Sequence, residues 1–133
     1  MSREAVKTTN APTPPPGLSQ AIRYNGMVYC SGNIGSDLNG TLVTGGVKEE
    51  TRAALQHLSA VLEAAGSSLA NAVKVNVFLT TMDDFTAMHE AYNEAFAHVD
   101  PKPVRTAVAV YQLPRGAKVE IECSAALNPS HKL

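Results

Sequence analysis

The chain has 133 residues, 44% of them hydrophobic, with eleven basic against twelve acidic side chains and a formal net charge of −1. That length suits one domain, residues 1–133, able to bury roughly two-thirds of its unfolded surface. The near-neutral balance leaves no electrostatic footprint for nucleic acid or an anionic membrane. Two cysteines, Cys30 and Cys123, make neither a CxxC motif nor a disulfide framework, and the four histidines His57, His89, His98 and His131 lack metal-ligand spacing. No apolar run approaches a membrane span or a secretory signal. A cytoplasmic protein without a dedicated metal is expected. The end His131-Lys132-Leu133 shares two positions with peroxisomal address tags, but histidine is a poor fit to the third.

Residues 1–16 are polar and finish on Pro12, Pro14, Pro15 and Pro16, an extended arm that cannot be helical. Two short runs then flank Asn25-Gly26, the strongest short hairpin signal. The glycines between positions 32 and 45 fit either tight turns or close backbone approach. Over residues 46–65 the side chains Val47, Thr51, Ala54, Leu55, Leu58, Val61, Leu62 and Ala65 recur at helical spacing, and Gly66 stops the helix. Its other face, with Lys48, Glu49, Arg52 and Gln56, reads as solvated. A strand over 72–80 follows, alternating Val73, Val75, Val77 and Leu79 with Lys74, Asn76 and Phe78. Asp83 is the expected N-cap of a second helix reaching about residue 98, with Phe85, Met88, Tyr92, Ala95 and Phe96 as its stripe.

The last third carries the candidate chemistry. In 103–111, Val104, Thr106, Val108 and Val110 share one face, and Arg105, Ala107, Ala109 and Tyr111 the other. In 119–126, Val119, Ile121, Cys123 and Ala125 oppose Glu120, Glu122 and Ser124, and Leu113-Pro114-Arg115-Gly116 between the two strands is turn chemistry. Were the strands neighbours, an arginine fork and a carboxylate would project from adjacent polar faces, a small reaction site in outline. Residues 128–133 make a polar tail. The order hairpin, helix, strand, helix, two strands predicts an α+β, two-layer sandwich: a mixed sheet of five or six strands with two helices on one face. The far face includes Thr106, Val108, Ile121 and Cys123 or their alternates. It is too apolar in parts for water, so a closed homo-oligomer is expected.

Several pieces, taken together, resemble the reactive intermediate deaminase (Rid) family over nearly the whole chain. They are Leu18-Ser19-Gln20-Ala21, Ser31-Gly32, Leu62-Glu63-Ala64-Ala65-Gly66, Val73 to Leu79, Met82-Asp83-Asp84-Phe85, Pro103-Val104-Arg105-Thr106 and Val119-Glu120-Ile121-Glu122. The last two, in order and at the family's separation, are the most specific. The resemblance implies a chorismate-mutase-like fold, a homotrimer around a barrel of three sheets, and a pocket in each cleft between subunits. It implies hydrolysis of 2-imino acids and their enamines to 2-oxo acids and ammonia, with no cofactor. Arg105 matches the family's carboxylate-binding arginine, Glu120 the glutamate that positions or activates water, and Ser31 and Gly32 the pocket wall. Three pocket positions depart from the pattern: Leu18 replaces the usual tyrosine, Ala107 the usual cysteine and His89 the usual asparagine. A larger or more apolar substrate side chain, or a specialised pathway intermediate, is therefore expected.

Each assignment has a plainer rival. Arg105 could form an ion pair within the sheet, and Glu120 could be a solvated strand residue; Glu122, on the same face, is read as an ion-pair partner. His89 reads as packed and hydrogen-bonded more readily than catalytic. Cys123 reads as core, and Cys30 has no activating base. At the level of function, the rivals are a non-catalytic, carboxylate-binding regulatory trimer and an RNA-cleaving or translation-inhibiting protein. The charge balance gives the latter no independent support.

Overall fold

The computed structural model describes residues 2–129, so the His131-Lys132-Leu133 end lies outside the described residues. Within them the chain runs β1 (Glu4–Val6), β2 (Ala21–Tyr24), β3 (Met27–Cys30), β4 (Asn33–Ile34), α1 (Val47–Ala64), β5 (Ala72–Leu79), α2 (Phe85–Ala95), β6 (Val104–Ala109) and β7 (Val119–Ala126). The expected hairpin forms around Asn25 and Gly26, both at positive φ (54° and 81°), the geometry of a two-residue turn that matches strand twist. The proline arm contributes an unforeseen edge strand, β1, paired antiparallel to β2.

One seven-stranded sheet results, in the order β1-β2-β3-β7-β5-β6, with the short β4 also paired to β7. Only β5 and β6 run parallel, because α2 carries the chain back between them. The expected count of five or six strands is therefore exceeded by the arm strand and by the split between β3 and β4. The expected α+β two-layer arrangement stands, with both helices on one face.

Helix α1 buries the predicted stripe, including Ala54, Leu58, Val61 and Leu62, against Val75, Val77 and Leu79 of β5 and Val119 and Ile121 of β7. Fully burying one such side chain is worth about 1.5–3 kcal/mol. Gly66, at φ 86°, ends the helix as expected. Ser67 N donates to Leu62 O and Gly66 N to Glu63 O, which satisfies two orphan carbonyls. The α1 face read as solvated does meet solvent, and there it also carries surface ion pairs to α2. Arg52 grips both Glu94 carboxylate oxygens at 2.9 Å and also pairs with Glu49, while Lys48 lies 3.4 Å from Glu90.

Helix α2 starts at Phe85, later than the Asp83 cap predicts, and ends at Ala95 rather than near residue 98. Thr81 is the residue whose hydroxyl accepts from Asp83 N, capping a single tight turn over Met82–Asp84. Met88, Tyr92 and Phe96 are buried as expected. Ala91 takes the inward place assigned to Ala95, which is exposed. The sheet's far face is open, and it carries exposed Tyr29, Val104 and Val108. Ile121 and Cys123, grouped with that face from the pattern, lie instead among the core residues on the helix side.

Candidate functional site

Register decides where the two key side chains go. Arg105 on β6 pairs with Val75, and Ala107 with Val77; both partners are wholly buried under the helices. Arg105 and Ala107 therefore lie on the helix-covered face, at the sheet edge where α2 passes. Glu120 on β7 pairs with Phe78 and Ile34, between the core residues Val119 and Ile121, and so points to the open face. Strand β5 separates β6 from β7. The picture of arginine and glutamate side by side on adjacent polar faces does not hold within one chain. Alternation along each strand puts them on opposite faces, and each opens into its own cavity.

The arginine cavity, of about 570 Å³, is lined by His89, Tyr92, Asn93, Lys102, Pro103 and Arg105 among others. The Arg105 guanidinium carbon lies 4.6 Å from the Tyr92 ring centroid and 5.5 Å from that of Phe85, contacts in which the ring faces attract the cation. Its Nη1 donates to His89 Nδ1 at 2.9 Å. Among the described residues no carboxylate comes within ion-pair distance of Arg105, so the plainer reading as a sheet salt bridge fails. Burial pushes the Tyr92 hydroxyl pKa up, with Arg105 opposing. This half of the site is a positively charged fork held against aromatic faces.

The glutamate cavity, of about 370 Å³, is lined by Leu18, Ser31, Gly32, Asn33, Ile34, Arg115 and Glu120, with Pro12, Pro14, Pro15 and Pro114 as apolar walls. Gln20, buried at the arm's base, holds this wall in place. Its Oε1 accepts from Thr8 N at 2.8 Å, and its Nε2 donates to Thr8 O and Pro12 O, each at 3.0 Å. Ser31 Oγ donates to Ser19 O at 2.7 Å, tying the break between β3 and β4 to the segment that carries Leu18. At Gly32 a Cβ would stand 2.7 Å from Glu120 Oε2, so the missing side chain is the space the carboxylate occupies. Gly35 is tighter still: a Cβ would stand 2.3 Å from the Glu50 backbone, which lets the loop lie flat on α1.

Burial and the charge of Glu122 raise the Glu120 pKa above its ordinary value. Glu122 itself accepts from Asn76 Nδ2 at 3.0 Å, a neutral partner rather than the expected ion pair. A raised pKa means the folded chain holds the Glu120 proton more tightly than the unfolded chain does. Its favourable contribution below the unfolded pKa is lost as pH rises through the folded one. Glu120→Gln is thus expected to raise Tm by about 1–3 °C at neutral pH. No gain is expected in acid below the carboxylate range, and thermal unfolding at the two pH values checks this.

Leu18, Ser31, Gly32 and Glu120 are thus brought together in one cavity, and Arg105 and His89 in the other, with Ala107 beside Arg105 on the same face. Cys123 is core as expected. A hydrogen bond with Cys123, followed by burial, pushes the Cys30 thiol up, which removes it as a nucleophile. The sequence reading did not assign Phe85 and Tyr92 to the site, although with His89 they fall at i, i+4 and i+7 on one helix stripe, a usable signal for a cation-binding edge. Arg115 and Asn33 carry no such signal.

The family described as Endoribonuclease L-PSP matches residues 8–127. The chain is 46% identical over 111 residues to Protein mmf2, mitochondrial, of Schizosaccharomyces pombe, covering 81% of this chain and 86% of that protein. It is 41% identical over 128 residues to a 2-iminobutanoate/2-iminopropanoate deaminase of Mus musculus, covering 96% and 93%. The crystal structure of yeast Mmf1 superposes with a TM-score of 0.91 at 34% identity, covering 96% of this chain and 100% of that one. The chain belongs to the Endoribonuclease L-PSP family, which includes the reactive intermediate deaminases its motifs resemble.

Proposed function

We propose that this chain hydrolyses 2-imino acids, and the enamines in equilibrium with them, to 2-oxo acids and ammonia. The site is a cleft between two copies of the chain in a homotrimer, with Arg105 from one copy and Glu120 from the next. The observation that supports this most is that a cation with no carboxylate partner among the described residues and a carboxylate with a raised pKa sit on opposite faces of one sheet. No single copy closes both around a small molecule, whereas two copies packed around the half-apolar open face bring one of each together. The relatives named as 2-iminobutanoate/2-iminopropanoate deaminases, such as the mouse protein, support the chemistry.

In this reading Arg105 holds the substrate carboxylate in two parallel hydrogen bonds, each worth roughly 1.5–3 kcal/mol net because the partner is charged. Glu120 takes a proton from a water molecule as the water oxygen bonds to the imine carbon. The C=N electron pair moves to nitrogen, which carries a proton in the reactive iminium. The carbinolamine then collapses: Glu120 gives the proton it took from water to nitrogen, accepts the hydroxyl proton as C=O forms and C–N breaks, and passes that proton to the departing ammonia. Atoms and charge balance with iminium acid and water consumed, oxo acid and ammonium produced, and Glu120 returned to its carboxylate. Proton transfer of this kind supplies about 10²–10⁴-fold. Leu18 and the proline wall favour an apolar substrate side chain larger than a methyl group.

Ammonia release from 2-imino acids made in situ by an amino-acid oxidase tests this. Wild type is expected to accelerate release, fastest for bulky apolar side chains, and Arg105→Ala to raise KM by about 10²- to 10⁴-fold. Equal rates for Arg105→Ala and wild type would leave a carboxylate-binding protein without turnover. Preference for 2-aminoacrylate would sink the substrate-size part alone.

A further inference from the structure

His89 has both ring nitrogens engaged. Nδ1 lies 2.9 Å from Arg105 Nη1, and Nε2 lies 3.2 Å from the side-chain amide of Asn93. A guanidinium has only N–H donors, so Nδ1 must accept, and the imidazole is neutral with its proton on Nε2. The Asn93 amide then turns its oxygen toward Nε2–H, its two ends being interchangeable by shape. The ring is further fixed by stacking on Phe85, with centroids 5.4 Å apart at 17°. Two aromatic faces thus set the plane of the Arg105 guanidinium, while one lone pair sets its rotation within that plane.

We propose that His89 is a positioning residue for carboxylate capture. As a neutral acceptor it locks the Arg105 fork in register, and on protonation it lets the fork go. This rests on Arg105 being the carboxylate handle. The bond to Nδ1 occupies one of the five guanidinium N–H groups and leaves a full edge of the fork for a carboxylate. A protonated ring would offer N–H where the lone pair had been and would place a second positive charge against Arg105. The groups facing His89 are Arg105 from β6, Lys102 and Pro103 from the segment before it, Phe85, Tyr92 and Asn93 of its own helix, and Phe96 just past the helix end. No carboxylate among them offsets that charge. Affinity for the carboxylate therefore falls as His89 takes up its proton, a dependence that an amide at the same position would not have.

The test is calorimetric binding of 2-oxobutanoate, a stable 2-oxo acid, to wild type, His89→Asn and His89→Leu between about pH 8 and about pH 5.5, across the imidazole range. It is paired with ¹⁵N NMR of the His89 ring in ligand-free protein. The expected spectrum is the Nε2–H tautomer, and wild-type affinity should weaken about 3- to 10-fold toward acid, the effect of one hydrogen bond. His89→Asn is expected to bind as tightly as wild type at high pH and to stay flat. His89→Leu is expected to be weak throughout while retaining the wild-type fold. An Nδ1–H tautomer, or an Asn variant that follows the wild-type pH curve, would overturn the proposal. No binding by wild type at any pH would overturn the Arg105 assignment itself, and the tautomer separates that failure from a failure of the His89 contact.

Discussion

At substrate well below the raised KM of Arg105→Ala, mixing Arg105→Ala chains with Glu120→Gln chains is expected to return about a quarter of wild-type activity from two preparations that are each nearly inactive, once subunits are exchanged by co-refolding. Arg105 faces the helix side of the sheet and Glu120 the open side, so in a closed ring each chain offers its arginine to one neighbour and its glutamate to another. Every site in either pure variant carries one lesion. Losing the carboxylate base costs about 10²–10⁴-fold. In an equal mixture a site is intact when its arginine comes from a Glu120→Gln chain and its glutamate from an Arg105→Ala chain, which random pairing gives about one time in four. Activity no higher than the mean of the two parents would show that both residues act from the same chain, and the intersubunit reading would fall.

Gly32→Ala is expected to lower kcat about 10²-fold while leaving Tm almost unchanged. Gly32 is exposed and has no positive φ, so alanine meets no backbone strain there. The added methyl group would stand 2.7 Å from Glu120 Oε2, and the yielding atom is the far end of a flexible side chain. The fold therefore tolerates the change by turning the carboxylate aside, which in the proposed mechanism removes it from the attacking water. A variant that unfolds, or one that keeps wild-type kcat, would count against Glu120 acting from this position. Steady-state ammonia release and a thermal melt on the same sample distinguish these outcomes.

Much of this architecture was legible in the chain because its signals are local. Asn25-Gly26, the α1 stripe ended by Gly66, and the alternation in β5 and β7 each dictate their own geometry. The sheet order was less accessible. The strands of Arg105 and Glu120 are consecutive in the chain across a turn with Pro114 and Gly116, which invites a hairpin between β6 and β7, yet β5 inserts between them. Nothing local marks that insertion, since strand order depends on which long-range pairing buries more apolar surface. The same blindness hid the interhelical role of Arg52, whose partner Glu94 lies 42 positions away. His89 was placed correctly on a packed edge, but its acceptor role toward Arg105 needed the register of β6 against α2.

The buried amide of Gln20 fixes a stretch of backbone that no ladder holds, through Thr8 and Pro12. The lining from Pro12 to Leu18 therefore lies outside every strand of the sheet that carries Arg105 and Glu120. Residues along it can be exchanged for others of different bulk without disturbing strand register or the core. In the proposed deaminase reading, selectivity and reaction chemistry rest on different parts of the molecule, so that a new substrate shape can be accommodated by redecorating an outer wall while the frame beneath stays as it is.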